Sequence, residues 1–525
     1  MKKIAALLIV LCMTLLMFTG CGSDDDTRTN YPINADPLYL DPQVATGDAL
    51  PIVASCFEGL LRFDTENKLV PAAAESYEVS KDNKTYTFHL RKNGKWHITE
   101  DFEDILGEDC EKTFDNKVTA ADFVFAMQRG ISPNINAPSA KLLFPIKNAE
   151  KINKGEMPAS SLGVKALDDF TLQIELQQPN PDFTVLLTSA VYMPCNKKFY
   201  SATDGRYGKG AEFLLCNSSL YLSEWESESY LLLSKNDDYT GDIKPAAATV
   251  GFYINTDNES RLLKVNDGTY CATPITKDQV DKTEDCIIKE YRNKTLSILF
   301  NCNSDIFSDM YFRLAYCYGI NYNSENVTNS VVPETCTLGI NQYKKLVYKF
   351  DGIKYNKNMA LKYFNAAYSK LTEAPDSVAL LCDREHEEIA RKLLHDWQVI
   401  FGYRLISKIE ISDDVKGDIE AGNYSFALTE LSSGNNTAVG FISTFADYNN
   451  NVMNYKSKNL NTVIGQILKS ATMADVVEGC KQAEAHLMHN GVVYPIEDIT
   501  SYYAVSKDYK DIIFYPSGDN ICFAK

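Results

Sequence analysis

The chain switches repeatedly between apolar spacing of two and apolar spacing of 3.6. Thr85 to Leu90 puts Tyr86, Phe88 and Leu90 on one side and His89 on the other, the pattern of a half-buried strand. Thr171 to Leu176 alternates in the same way, and Pro179 and Pro181 stop it, because proline cannot donate to a ladder. From Thr119 to Arg129 the period becomes helical. Thr119 can cap that helix, and Asp122, at the third helical position, accepts from the open end. A longer helix is expected over residues 385–401, with Ile389, Leu393, Trp397 and Ile400 as its apolar stripe and Gly402 as its stop. Residues 403–411 then read as a strand, residues 473–490 as a late helix, and residues 492–505 as returning strands. Strands and helices interleave throughout, so the expected class is mixed α/β. No repeat of 20–50 residues is visible.

The N-terminus has a different pattern. Lys2 and Lys3 precede an apolar run from Ile4 to Phe18, shorter than the ~20 residues a bilayer span needs and suited to a signal-peptide core. Phe18-Thr19-Gly20-Cys21 closes the run and resembles the lipobox of bacterial lipoproteins, with Phe18 where that motif usually has Leu. The resemblance implies cleavage after residue 20 and lipidation of Cys21. Residues 21–30, with the run Asp24-Asp25-Asp26, read as a solvated tether. No later stretch is long and apolar enough to span a membrane.

Composition narrows the function classes. The 525 residues carry 52 Lys and Arg against 70 Asp and Glu, a net charge of −18, and loss of residues 1–20 removes two more positive charges. Nucleic-acid binding, which needs clustered cations, is therefore not expected. Tyr is abundant (31), which suits a large core or a wet recognition surface. The cysteines from Cys56 to Cys522 form no CxxC and are read as mostly free and buried, with Cys271–Cys286 as the nearest thing to a local pair. There is no Walker loop, Rossmann glycine fingerprint, GxSxG or HExxH, so neither an enzyme nor a cofactor or metal is expected. His386, His395, His486 and His489 fall on helix surfaces by spacing. Eight acids between Glu100 and Asp115 lack the spacing of a calcium loop and read as a solvated insertion.

A series of segments resembles the peptide-, oligopeptide- and nickel-binding proteins that serve ABC importers. "LYLDPQVATGD" at 38–48 looks like that family's opening strand and first cleft loop, and Phe57-Glu58-Gly59-Leu60-Leu61 matches its FEGL signature. "YTFHLRKNGKW" at 86–96, "VTAADFVFAMQR" at 118–129 and "LGVKALDDFTLQIELQQPNPDF" at 162–183 follow in family order. Weaker blocks continue with "YLSEW" at 221–225, "LFNCNSDIFSD" at 299–309 and "RLAYCYGINY" at 313–322.

The resemblance implies a two-lobed clamshell of the type II periplasmic-binding-protein kind. Residues 31–45, 186–274 and 490–525 would form the base of the first lobe and 46–185 an extra domain on it. Residues 275–489 would form the second lobe, with chain crossings near Pro274 and Pro495. A monomer is implied, at the outer face of the bacterial cytoplasmic membrane, that buries a peptide or peptide-like solute between its lobes and docks on an ABC permease. A sensor of the same fold, or a binder of another solute, is the alternative. The ligand would meet Thr46, Gly47 and Asp48 in the first cleft loop and Ser432, Ser433, Gly434, Asn435, Asn436 and Thr437 in a second-lobe loop. Peptide-binding relatives hold the ligand's α-ammonium with a carboxylate in that second loop, where Asn435 and Asn436 are neutral amides. Three readings stay open: the ligand lacks a free amine, its amine sits in water, or another acid takes over, with Asp48, Glu497 and Asp498 as the candidates.

Overall fold

The computed structural model describes residues 27–524, apart from 305, 348, 351, 374, 376, 435, 447–450, 471, 510–511 and 519. A four-stranded sheet takes Arg28–Ile33, Thr249–Ile254, Tyr230–Lys235 and Leu220–Glu226 in that spatial order, the first pair parallel and the rest antiparallel. Its first strand starts at Arg28, so the last three residues of the expected tether are strand. Tyr31 and Ile33 are buried there, and burial of that alternate face holds the segment down. A second, antiparallel sheet orders Ala74–Val79, Thr85–Leu90, Thr171–Glu175 and Val164–Asp168. Tyr86, Phe88 and Leu90 are buried and His89 is not, as the alternation predicts. The helix Ala120–Ile131 packs beside this sheet and opens with the expected capping box of Thr119 and Asp122.

Both sheets share one apolar core, and the end of the chain closes it with Tyr503, Val505, Ile512, Phe514, Ile521 and Phe523. The acidic segment belongs to it too. Phe102, Cys110 and Phe114 are buried, the Phe102 ring meets Phe199 edge-on at 5.3 Å, and Lys198 lies over Phe114. The reading of 100–115 as a purely solvated insertion is corrected: its charges face water, but three apolar anchors among them are packed.

A six-stranded mixed sheet orders Ala272–Ile275, Val493–Ser506, Cys286–Phe300, Phe426–Ser432, Ser377–Cys382 and Ile406–Ile411. Alternation sorts its side chains onto two cores. Ile298, Phe300, Leu380, Phe426 and Leu428 face the helices Met310–Tyr318, Lys357–Tyr368 and Glu387–Phe401. Leu299, Leu381 and Ala427 face Ala438–Ser443, Lys458–Ile467 and Met473–His489. Helices therefore cover both faces, which is the expected α/β class. In the helix Glu387–Phe401, Leu393, Trp397 and Ile400 are buried as predicted, and Gly402 follows at φ 66°.

Cys286–Phe300 and Val493–Ser506 run antiparallel along nearly their whole length, from Cys286 opposite Ser506 to Leu299 opposite Val493. Tyr503 and Val505 lie in the first core, while Leu296, Ile298 and Ile496 lie in one of the others. Between these halves the register slips, from Tyr291 opposite Ser501 to Lys294 opposite Ile499. The change of core thus falls at this bulge. Pro274 sits within an edge strand opposite Tyr503, and Pro495 opposite Ser297, beside a second slip that its missing N–H explains. The cysteines from Cys56 to Cys522 are all free, Cys271 and Cys286 included. Among the described residues no helix is long and apolar enough to cross a membrane.

Candidate functional site

The loop after the first strand brings chemistry to the surface of the first lobe. Asp48 ties it: Oδ2 accepts from the backbone N–H of Asn34 at 2.8 Å and of Ala35 at 3.1 Å, and Oδ1 accepts from the Asn34 amide at 3.1 Å. Gly47 precedes it at φ 55°, a conformation that suits a residue without a β carbon. Asp36 accepts from Trp225 Nε1 at 2.8 Å, Ser227 Oγ at 2.8 Å and the Glu228 N–H at 2.9 Å. Further on, Asp41 meets Arg129 in a two-pronged ion pair, with Nη1 to Oδ2 at 2.6 Å and Nη2 also donating to Gln43. The guanidinium lies over the rings of Tyr200 at 4.5 Å and Tyr207 at 5.4 Å.

These residues border an open cavity of about 600 Å³, within the size range of small-molecule sites. Asp36, Tyr39, Thr46, Asp48, Arg129 and Tyr200 are on its wall. Three carboxylates against one guanidinium make that wall net acidic, which favours a solute carrying positive charge.

Glu497 and Asp498 point to opposite sides of their strand. Glu497 Oε2 accepts from the Tyr322 hydroxyl at 3.0 Å and Ser324 Oγ at 2.7 Å. Asp498 is buried and takes the Lys344 ammonium on both oxygens, at 2.7 and 3.0 Å. Burial pushes its carboxyl pKa up and Lys344 pulls it back. Lys344 also donates to Thr328 at 3.0 Å. The negative charge of Asp498 is thus already met by the Lys344 ammonium.

The loop after Phe426–Ser432 is built around its own backbone. Ser432 ends the strand opposite Lys294. The Ser433 hydroxyl donates to the Thr437 carbonyl and accepts from the Thr437 N–H, both at 3.2 Å, and the Thr437 hydroxyl caps Ala438–Ser443 by accepting from the Gly440 N–H at 3.1 Å. Gly434 faces open space. Asn436 sits at φ 52° and its carbonyl accepts from the Thr337 N–H at 2.9 Å. Asn435 lies outside the described residues. The structure thus sets the expected residues in three places: Thr46 and Asp48 at the cavity, Glu497 and Asp498 against 322–344, and 432–437 against 336–339. The cavity wall from Asp36, Arg129, Tyr200 and Tyr207 was not read from the sequence. Its signal was present, since Asp41 and Arg129 lie in two quoted blocks and a buried charge needs a partner.

Of the helical histidines, His386 is a correction: it is buried at the start of its helix with Nδ1 on Asp383 at 2.8 Å. His486 takes the Tyr455 hydroxyl at 2.9 Å. Among the described residues no group of three or more metal-ligating side chains occurs.

The architecture is that of a two-lobed, type II periplasmic binding protein. Residues 68–452 match the bacterial extracellular solute-binding proteins, family 5, and the chain belongs to that family. Oligopeptide-binding protein OppA of Bacillus subtilis is 23% identical over 551 residues, covering 99% of this chain and 98% of that protein. A probable deoxycholate-binding periplasmic protein of Escherichia coli, YgiS, is 34% identical over 212 residues, 40% of this chain and 36% of the other. The solved structure of the murein tripeptide binding protein MppA of Escherichia coli superposes with a TM-score of 0.71 at 21% identity, over 95% of this chain and 99% of that one.

Proposed function

We propose that this protein is a lipid-anchored receptor on the outer face of the cytoplasmic membrane that captures a peptide between its lobes and delivers it to an ABC import permease. The observation that carries this reading is the full-length two-lobed architecture, shared with a protein named for tripeptide binding and with an oligopeptide-binding protein aligned end to end. Cys21 is the anchor, supported by the run Phe18-Thr19-Gly20-Cys21. The lobes hinge where the register of Cys286–Phe300 and Val493–Ser506 slips, at residues 292–293 and 500, because few ladder bonds must change there.

The first-lobe half of the ligand site is the acidic cavity with Thr46 and Asp48 on its wall and Gly47 between them in sequence, and the second-lobe half is 432–437 with Glu497. The ligand carries a cationic group, its α-ammonium or a basic side chain. Asp48 and Glu497 are the acids left to meet it, since Asp498 is engaged by Lys344. The deoxycholate-binding name of one relative keeps a non-peptide, amphipathic solute as the second reading.

The test is native mass spectrometry of the protein purified from its own host, followed by titration with the peptides released. Peptide adducts, and binding that falls on N-terminal acetylation and in Glu497→Gln or Asp48→Asn, are expected. A bound steroid or other non-peptide solute would replace the peptide reading. Unchanged binding of acetylated peptides would remove the free amino terminus from it.

A further inference from the structure

Where the second sheet of the first lobe ends, the chain turns at Pro179 and Pro181 and enters a short helix, Phe183–Leu186, whose Phe183 and Leu186 are buried in the first core. Asp182 stands at the head of this turn, its N–H held by Asn180 Oδ1 at 2.9 Å. Its side chain crosses to the other lobe. Oδ1 accepts from the backbone N–H of Gly339 at 2.7 Å, and the residue is only 1% exposed. Gly339 lies in the turn between Thr337–Leu338 and Asn341–Gln342 at φ 55°. A β carbon there would stand 3.2 Å from Met473 and 3.9 Å from the Pro181 carbonyl oxygen, so the lobes are in close contact at this point.

What surrounds the carboxylate is unusual for a charge. The Thr437 hydroxyl favours its ionised form, as does the Gly339 N–H, but Oδ2 has no hydrogen-bond partner. The titratable groups that face it are the Cys336 thiol, from the segment before the turn, and the Cys480 thiol, from Met473–His489. Burial keeps both protonated. One turn beyond Cys480, Glu484 is itself a buried acid bonded to Ser330 and Tyr343. Lys344 is turned to Asp498. Among the described residues no cation pairs with Asp182.

We propose that Asp182 is a proton-operated clasp between the lobes, entering the second lobe as a neutral acid when they meet and released to water as a carboxylate when they part. Protonation gives Oδ2 a hydrogen to donate and removes the charge that the contact would otherwise bury unpaired. Burial accordingly lifts the carboxyl pKa to about 7. In the open form the same group in water returns to the ordinary value of about 3.9. Closing therefore takes up a proton between about pH 4 and pH 7, and the closed form gains as pH falls through that window, by up to about tenfold per unit.

This inference rests on the reading that the lobes move, and the experiment separates the two. The mature, ligand-free protein is labelled with a donor and an acceptor fluorophore through azide-bearing residues at the exposed positions 165 and 408, one in each lobe. Single-molecule transfer is recorded from pH 8 to pH 5, then with the peptides that copurify with the protein. The ratio of closed to open molecules is expected to rise on the order of ninetyfold over that range in the parent. In Asp182→Asn, which keeps the shape and cannot ionise, it should be high and flat, and in Asp182→Ser flat as well. A parent that closes on peptide but is flat in pH overturns the clasp and leaves the two-lobed receptor standing. A variant that titrates like the parent overturns it too, and the parent titration stands alone if a variant does not fold.

Discussion

Arg129 offers a sharp test of what holds the cavity wall. Its side chain is 5% exposed and that of Asp41 is 7% exposed, so both charges are nearly out of water. Arg129→Met keeps most of the packed volume and removes the charge. Among the described residues, the Asp41 carboxylate would then retain only the Gln43 N–H at 3.1 Å. Removing one member of a buried pair costs about 3–5 kcal/mol, mostly for the charge left behind. Loss of the stacking on Tyr200 and Tyr207 adds about 0.5–2 kcal/mol. Asp41 also lines the adjoining cavity, so solvation of the carboxylate left behind would offset part of this. The expected loss is thus about 3 kcal/mol. In Arg129→Met/Asp41→Asn no charge remains buried, and roughly half of the loss should return. Urea unfolding would be followed by fluorescence in a Trp397→Phe background, so that Trp96 and Trp225 report the first lobe alone. A loss below about 1 kcal/mol for the single change, or a double variant no better than the single, would refute the argument.

Three further outcomes are expected. Phe102→Ala should cost the first lobe about 3 kcal/mol by urea unfolding, and replacing residues 99–114 with a short Gly/Ser turn should cost more, because the acidic segment anchors core. Burial lifts the Asp122 carboxyl to about 6, above its ordinary value, so the fold favours its acid form. First-lobe stability should therefore fall by about 2–3 kcal/mol as pH rises from about 4 to about 6, and Asp122→Asn should flatten that slope. Without reductant, a thiol reagent should find every cysteine from Cys56 to Cys522 in the denatured protein. In the native one it should react first at Cys286 and Cys302, the two that are not buried.

Much of the local structure was legible because its causes are local. The alternation of 85–90, the capping box at Thr119 and Asp122 and the stripe through Leu393 and Trp397 each lie within a few turns of chain. What lay beyond reach depends on distant partners. Charge density at 100–115 suggested water, but Phe102 is decided by Phe199, ninety-odd residues on, and helices of four residues leave no period to read. His386 looked exposed by helical spacing, yet it stands at the helix start, where the chain turns inward. The expected acids were found on real segments, but Lys344 had already engaged Asp498. Asp182, hidden in the block "PNPDF", gave no sign that it would reach across to Gly339.

The order in which the chain fills its cores has a consequence for its birth. Both cores of the second lobe draw on residues between 296 and 499, one continuous stretch. The first lobe instead waits for the last thirty residues. Phe523 packs against Tyr31 and Phe252, its N–H is held by Ser55 at 3.0 Å, and Cys522 Sγ reaches the Ala54 carbonyl at 3.0 Å. A chain that emerges N-terminus first thus carries its first core unsealed until its final residues arrive, while the part made later can condense sooner. Truncation by even a handful of C-terminal residues is accordingly a defect of the first lobe, felt at the opposite end of the sequence.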